Sequence, residues 1–152
     1  MSLVQWDWVA RHGGEIGAQL GQHVLLTGLA LGFGLLIAFP LALAAVRWPR
    51  FYGPSLGLTG ILFTVPSLAL FILLIPFTGL SIATSLIGLT IYTLLILFRN
   101  IVEGLRGVPA DVSEAAKALG YSRGRRLVQV ELPIALPVIM AGVRIAAVTT
   151  IG

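Results

Sequence analysis

The side chains able to do chemistry are crowded into one segment. Ten of the sixteen Asp, Glu, Lys and Arg residues fall between positions 99 and 133. Their arrangement is not that of a catalyst. No HExxH, GxSxG or paired-carboxylate pattern is present to activate water or a nucleophile. No GxxxxGK[ST] loop is present to cradle a nucleotide phosphate. There is no cysteine, so thiolate chemistry and thiolate metal sites are excluded as well. What the segment offers is a short helix, read on its residues alone as either a docking element or a solvated amphipathic loop helix. Residues 109–120 read PADVSEAAKALG, in which Asp111 and Glu114 have capping-box spacing, with Asp in place of the usual Ser or Thr. Gly120 stands where a helix ends in a left-handed residue. The helix predicted between them is about 12 Å long. Val112, Ala115, Ala116 and Leu119 recur at i, i+3, i+4 and i+7, which makes one apolar face, flanked by Glu114 and Lys117. A helix this short is marginal alone, so it must be held by something, and its two central alanines allow another backbone to come close.

The elements that position this knob are membrane spans. The chain has 152 residues, 57% hydrophobic and only 11% charged, against about 25% charged in an ordinary soluble domain. Residues 51–98 carry no charge, and a spanning helix needs about 20 mainly apolar residues. The predicted fold is therefore an all-α polytopic transmembrane bundle of about four spans. The first runs from about Gln22 to Val46 and is stopped by Arg47, Trp48, Pro49 and Arg50. The second runs from about Pro54 to Pro76, the third from about Ser81 to Phe98, and the last from Pro133 to Gly152. Residues 1–20 form an N-terminal segment in which Trp6, Val9, Ile16 and Leu20 could line an interfacial helix, with Trp6 and Trp8 at headgroup level; a partly ordered tail is the alternative. No cleaved leader is expected, because Asp7 and Glu15 precede the first apolar run.

Cations orient the bundle. Arg47 and Arg50 lie in one loop, and Arg99, Arg106, Lys117, Arg123, Arg125 and Arg126 in another, against Arg11 alone on the other side. The positive-inside rule places both loops in the cytoplasm and the N-terminus outside. Gly28 with Gly32, and Gly53 with Gly57, have helix-packing spacing. Pro66, followed by Ser67, falls near the middle of the second span and predicts either a packing kink or a break facing a translocation path. Arg144, about 16 Å into the last span, is expected inside the bundle or against a watery cavity, with a structural or gating role preferred to substrate contact. His23 is read as an interfacial polar residue. The cluster of Arg123, Arg125 and Arg126 is read as an anchor at anionic headgroups, with contact to a protein partner second.

The string Glu114-Ala115-Ala116, three residues, Gly120, nine residues, Val130, one residue, Leu132-Pro133 resembles the EAA signature of ATP-binding-cassette importer permeases. TVPSLAL at 64–70, Arg99-Asn100, Gly104-Leu105, ELPIALP at 131–137 and Ala141-Gly142-Val143-Arg144 resemble permeases of the glycine betaine and osmoprotectant type. Ile96 stands where relatives often have proline, and residues 79–85 lack another. The resemblance covers about residues 20–152 and implies a type I importer permease domain (21–152), with 99–133 as its cytoplasmic EAA loop.

It implies further that Glu114, Ala115, Ala116, Leu119, Gly120, Leu132 and Pro133 couple to a cytoplasmic ATPase subunit. Pro66, Ser67 and Arg144 are candidates for the translocation path. Expected partners are two ATPase subunits, a second or paralogous permease, an extracytoplasmic solute-binding protein and membrane lipids, but not nucleic acid. The chain itself is expected to bind no cofactor or metal, with ATP and magnesium used by the ATPase. The implied location is the bacterial inner membrane and the implied cargo a compatible solute such as glycine betaine, choline or carnitine. An amino-acid permease is the nearest alternative. A proton-coupled exchanger is disfavoured because every carboxylate lies outside the spans or at their edges. Members of the family continue beyond residue 152 with a further segment, so the chain is expected to be a C-terminally shortened permease.

Overall fold

The computed structural model describes residues 6–151, with Trp6 described by its backbone alone; the headgroup position expected for the Trp6 side chain lies outside what is described. The described residues are almost entirely helical, with short turns between elements. In order come α1 (Trp6–Arg11), α2 (Gly13–Arg47), a 3-10 turn (Pro49–Phe51), α3 (Tyr52–Thr64), α4 (Ser67–Thr78), α5 (Ile82–Arg106), α6 (Ala110–Ala118), α7 (Arg123–Arg126), a π turn (Leu127–Glu131) and α8 (Leu132–Ile151). Among the described residues, three helical stretches are long and apolar enough to cross a membrane: Gly13–Arg47, Ile82–Arg106 and Arg123–Ile151.

α5 is the post around which the others pack. Leu97, Phe98, Ile101 and Val102 are its innermost residues, almost wholly buried against Ala38, Ala42 and Ala45 of α2 and Ala135, Ile139 and Ala146 of α8. Lipid tails are as apolar as leucine, so close van der Waals approach has to hold these helices, and small residues permit it. The buried stripe of α2 is Thr27, Ala30, Gly34, Ala38, Ala42 and Ala45, small side chains three or four residues apart. A Cβ on Gly34 would collide with the Thr93 hydroxyl of α5, and one on Gly142 with Asn100. Gly28, Gly32, Gly53 and Gly57, expected to mediate packing, have nothing within 4 Å of a built Cβ. They occupy the other side of their helices; the small-residue register that closes the bundle is Ala30-Gly34-Ala38-Ala42.

Helix directions follow from who faces whom. Gln22 and Leu26 of α2 share a pocket with Ser81, Thr84 and Ser85. Gly34 meets Thr93 and Leu97, and Leu43 and Arg47 share a cleft with Leu105 and Val108. α2 and α5 are therefore parallel. α8 runs the other way: Gly104 faces Ala135, Gly142 faces Asn100, and Ile145 lies beside Leu95 and Ile96. Two parallel neighbours require an odd number of crossings between them, so α3 and α4 together carry the chain back across.

They do so as a broken pair. The continuous second span expected over 54–76 is not what forms: α3 and α4 are bent by 95° at a short break. At about 20 Å and 18 Å neither crosses a 30 Å core alone. Pro66 forces Val65 into extended backbone (φ −65°, ψ 125°) and is itself extended (φ −56°, ψ 137°), because the residue before a proline is driven from the helical region and the ring removes a donor. Pro76, expected to end the span, lies inside α4.

The remaining differences are of extent. α2 begins at Gly13 rather than near Gln22. α5 continues to Arg106, eight residues beyond Phe98, burying Ile101, Val102 and Leu105 on the way. The charged residues Arg99, Glu103 and Arg106 thus sit on a helix rather than in a loop: charge ends a membrane span, but it does not end a helix.

Candidate coupling helix and broken span

α6 forms where the spacing predicts, with a different start. Its N-cap position is Pro109, without a side-chain cap, and Asp111 lies in the first turn. The Asp111–Glu114 capping box therefore does not form. Pro109 is extended (ψ 136°) and begins the helix two residues early, which leaves Asp111 to favour the helix N-terminus through its charge alone. The C-terminus is as expected. Gly120 has φ +80°, its amide donates to the Lys117 carbonyl at 3.0 Å, and the Tyr121 amide donates to the Ala116 carbonyl at 3.1 Å. This pair of bonds is the Schellman closure of a helix on glycine.

The predicted apolar face is divided between two jobs. Ala116 is buried and Val112 half-buried, turned toward the chain itself, whereas Glu114, Ala115 and Gly120 are exposed and Leu119 is 77% exposed. Leu132 packs on the core, and Pro133 is exposed in the first turn of α8. Of the α6 residues expected to couple, Glu114, Ala115, Leu119 and Gly120 are thus the ones that face outward.

Ser113 and Glu131, neither singled out from the sequence, hold α6 in place together with Arg126. The Ser113 hydroxyl donates to Glu131 Oε1 at 2.9 Å, and Arg126 Nε donates to the same oxygen at 2.8 Å. Eighteen residues separate Ser113 from Glu131, and no local periodicity pairs them. The π turn supplies the geometry. Pro133 has no amide to donate and its ring would strike the carbonyl four residues back, so the helix widens by one residue just before it and Glu131 comes to face α6. The arginines expected as a headgroup anchor are partly used in the same way. Arg126 is the partner of Glu131, and Arg125 donates to Gln129 at 2.9 Å while lying 4.5 Å over the Tyr121 ring.

At the other candidate site, Pro66 and Ser67 are exposed at the break. The Tyr92 hydroxyl of α5 donates to the Val65 carbonyl, satisfying one of the groups that the break frees, and Phe63 meets the Tyr92 ring edge-on at 6.0 Å. Phe63 also lines a pocket with Arg99, Asn100 and Glu103 of α5 and Ile145 of α8. Arg144 is not within the core of this chain: it is exposed, in a shallow groove formed with Pro137, Met140 and Val148 of its own helix. The α8 residues that face α5 are Ala135, Ile139, Gly142 and Ala146, a register that turns position 144 away.

A bundle of parallel and antiparallel helices around α5, with one broken span and a glycine-closed knob at its cation-rich end, is the architecture of a multi-pass membrane transport subunit. Residues 25–152 match the family described as binding-protein-dependent transport system inner membrane component, and the chain belongs to that family. The glycine betaine/carnitine/choline transport system permease protein OpuCB of Bacillus subtilis is 33% identical over 141 residues, covering 93% of this chain and 65% of the relative. The choline transport system permease protein OpuBB of the same organism is 34% identical over 146 residues, covering 96% and 67%. The osmoprotectant import permease protein OsmW of Salmonella typhimurium is 36% identical over 146 residues, covering 93% and 68%. The chain spans about two thirds of the length of these curated relatives.

Proposed function

We propose that this chain provides the translocation portion of a permease subunit in an ATP-binding-cassette importer of small quaternary-ammonium osmolytes. ATP is hydrolysed by a separate cytoplasmic ATPase, and the chain's own contribution is mechanical. The observation that carries the reading is α6: nine residues long, closed on Gly120, and presenting Glu114, Ala115 and Leu119 outward at the end of the bundle where the cations collect. The printed substrates of the relatives support the osmolyte class. The positive-inside rule places that end in the cytoplasm and the N-terminus outside.

In this reading α6 sits in a groove of the ATPase. The Ser113–Glu131–Arg126 link ties it to the continuous rod of α7, the π turn and α8, so ATPase closure moves α6 and α8 as one body. Pro66 and Ser67 at the break and Arg144 on the outer face of α8 line the path, completed by a second permease. A solute-binding protein delivers cargo to the opposite end. An arginine at this depth is not left to lipid, which favours water or a partner over Arg144.

The deciding experiment is co-purification of the complete permease with its ATPase. Glu114→Arg, or deletion of 111–120, is expected to abolish the complex while membrane insertion persists. Undiminished ATPase recovery with either variant would overturn the coupling assignment.

A further inference from the structure

One cleft borders the Ser113–Glu131–Arg126 link but is lined by none of the residues assigned to the ATPase contact or to the path. It lies where α2 ends, beside the ends of α5 and α7, and has a volume of about 650 Å³, within the range of ligand-binding clefts. Its wall is apolar, formed by Pro40, Leu43, Ala44, Leu105, Val108 and Leu127. Its polar lining is Arg47, Trp48, Ser113, Arg123, Arg126 and Glu131. Arg126 and Glu131 neutralise one another at 2.8 Å, and Ser113 is spent on the same carboxylate. Arg47 and Arg123 remain, both exposed, so the cleft has a net positive rim over an apolar wall. Trp48, 49% exposed beside them, has the amphipathic ring that settles at headgroup level.

The cleft is also open toward the acyl region. Phe33, Ile37, Pro40, Ala44 and Arg47 succeed one another at helical spacing on one face of α2. Phe33 and Ile37 are exposed apolar residues on the spanning part of that helix, and Pro40, Ala44 and Arg47 line the cleft. One stripe therefore leads from the lipid-facing surface to a cation.

We propose that this cleft binds an anionic phospholipid, its phosphate between Arg47 and Arg123 and an acyl chain along the Phe33–Ala44 stripe of α2. A soluble anion would use the rim but not the stripe, and a protein partner would have to follow an apolar track into the bilayer. The proposal rests on the membrane placement of the family and not on the osmolyte reading, so transport can fail while lipid retention survives, and the reverse.

The test uses the complete permease, purified from mixed phosphatidylglycerol and phosphatidylcholine nanodiscs and weighed by native mass spectrometry. Retention of phosphatidylglycerol over phosphatidylcholine is expected. Loss of two interfacial cations in Arg47→Gln/Arg123→Gln is expected to cut that preference about 25-fold, whereas Arg50→Gln, outside the cleft, leaves it intact. Ala44→Trp fills the wall with both charges kept, and is expected to expel the lipid even if the double variant inserts poorly. Equal retention of the two lipids would overturn the proposal, as would an unchanged preference in Ala44→Trp. Displacement by sn-glycerol 3-phosphate at matched concentration would assign the site to soluble phosphate instead. Shielding of Arg123→Cys from aqueous reagent only when the ATPase is bound would assign it to that partner, and either result overturns the lipid.

Discussion

Gly120 shows how much one residue can decide. Its φ of +80° lies in the left-handed region, where a Cβ costs about 1–2 kcal/mol, yet no atom stands within 4 Å of a built Cβ. A substitution is therefore strained in its backbone and not crowded by neighbours. Gly120→Ala should loosen the end of α6, read as faster hydrogen exchange at the Gly120 and Tyr121 amides, with insertion unchanged. Gly120→Asp adds a charge on the exposed face of α6 and, on the proposed coupling role, should abolish uptake by the complete importer; normal uptake would contradict that role. Gly120 was legible in the sequence because helix closure is a local event. Gly34 and Gly142 were not. They matter because Thr93 and Asn100 lie opposite, and only the packed bundle says which glycines have a neighbour.

At the scale of the element, α6 and the broken span are instructive in opposite ways. The periodicity of 109–120 was enough to place α6 and its C-terminus, since both depend on residues a few positions apart. It was not enough to say which part of the apolar face is outward. Ala116 and Val112 turn inward because Ser113 is bonded to Glu131, a contact between elements. Glu131→Gln removes the charge that holds both Ser113 and Arg126. Gln can still accept, and the loss of charge assistance, about 1 kcal/mol, would raise amide exchange across α6 about fivefold. Unchanged exchange would mean that α6 is held by packing alone. In the second span Pro66 marked the position of a break, but not its 95° angle. The angle requires two successive extended residues and a partner for the freed Val65 carbonyl, and that partner, Tyr92, is 27 residues away.

For the whole molecule, topology is the property that sequence and structure reach by separate routes. The distribution of cations predicts both charged loops on one side. The parallel α2 and α5 and the antiparallel α8 put residues 47–53 and 107–131 at one end of the bundle without reference to charge. The absence of cysteine makes this simple to measure. Lys117→Cys, exposed at the cation-rich end, should react with membrane-impermeant maleimide only from the cytoplasmic side. Leu80→Cys, at the opposite end and 91% exposed, should react only from outside. Reaction of both from the same side would refute the crossing of the membrane by α5.

The sequence by itself determined the class of this protein. Uncharged runs long enough to span a bilayer, a single charged segment and the spacing around Glu114 and Gly120 are all properties of composition and short-range order, and each acts wherever the chain folds. The tertiary structure decided the rest. It chose Ala30, Gly34, Ala38 and Ala42 over Gly28 and Gly32 as the packing stripe, turned Arg144 out of the core, tied α6 to α8 through Glu131, and drew Arg47 and Arg123 to one cleft. Each outcome depends on which helix face meets which. Within a membrane that choice is made by close fit between helices, because hydrophobicity, equal on all sides, cannot make it.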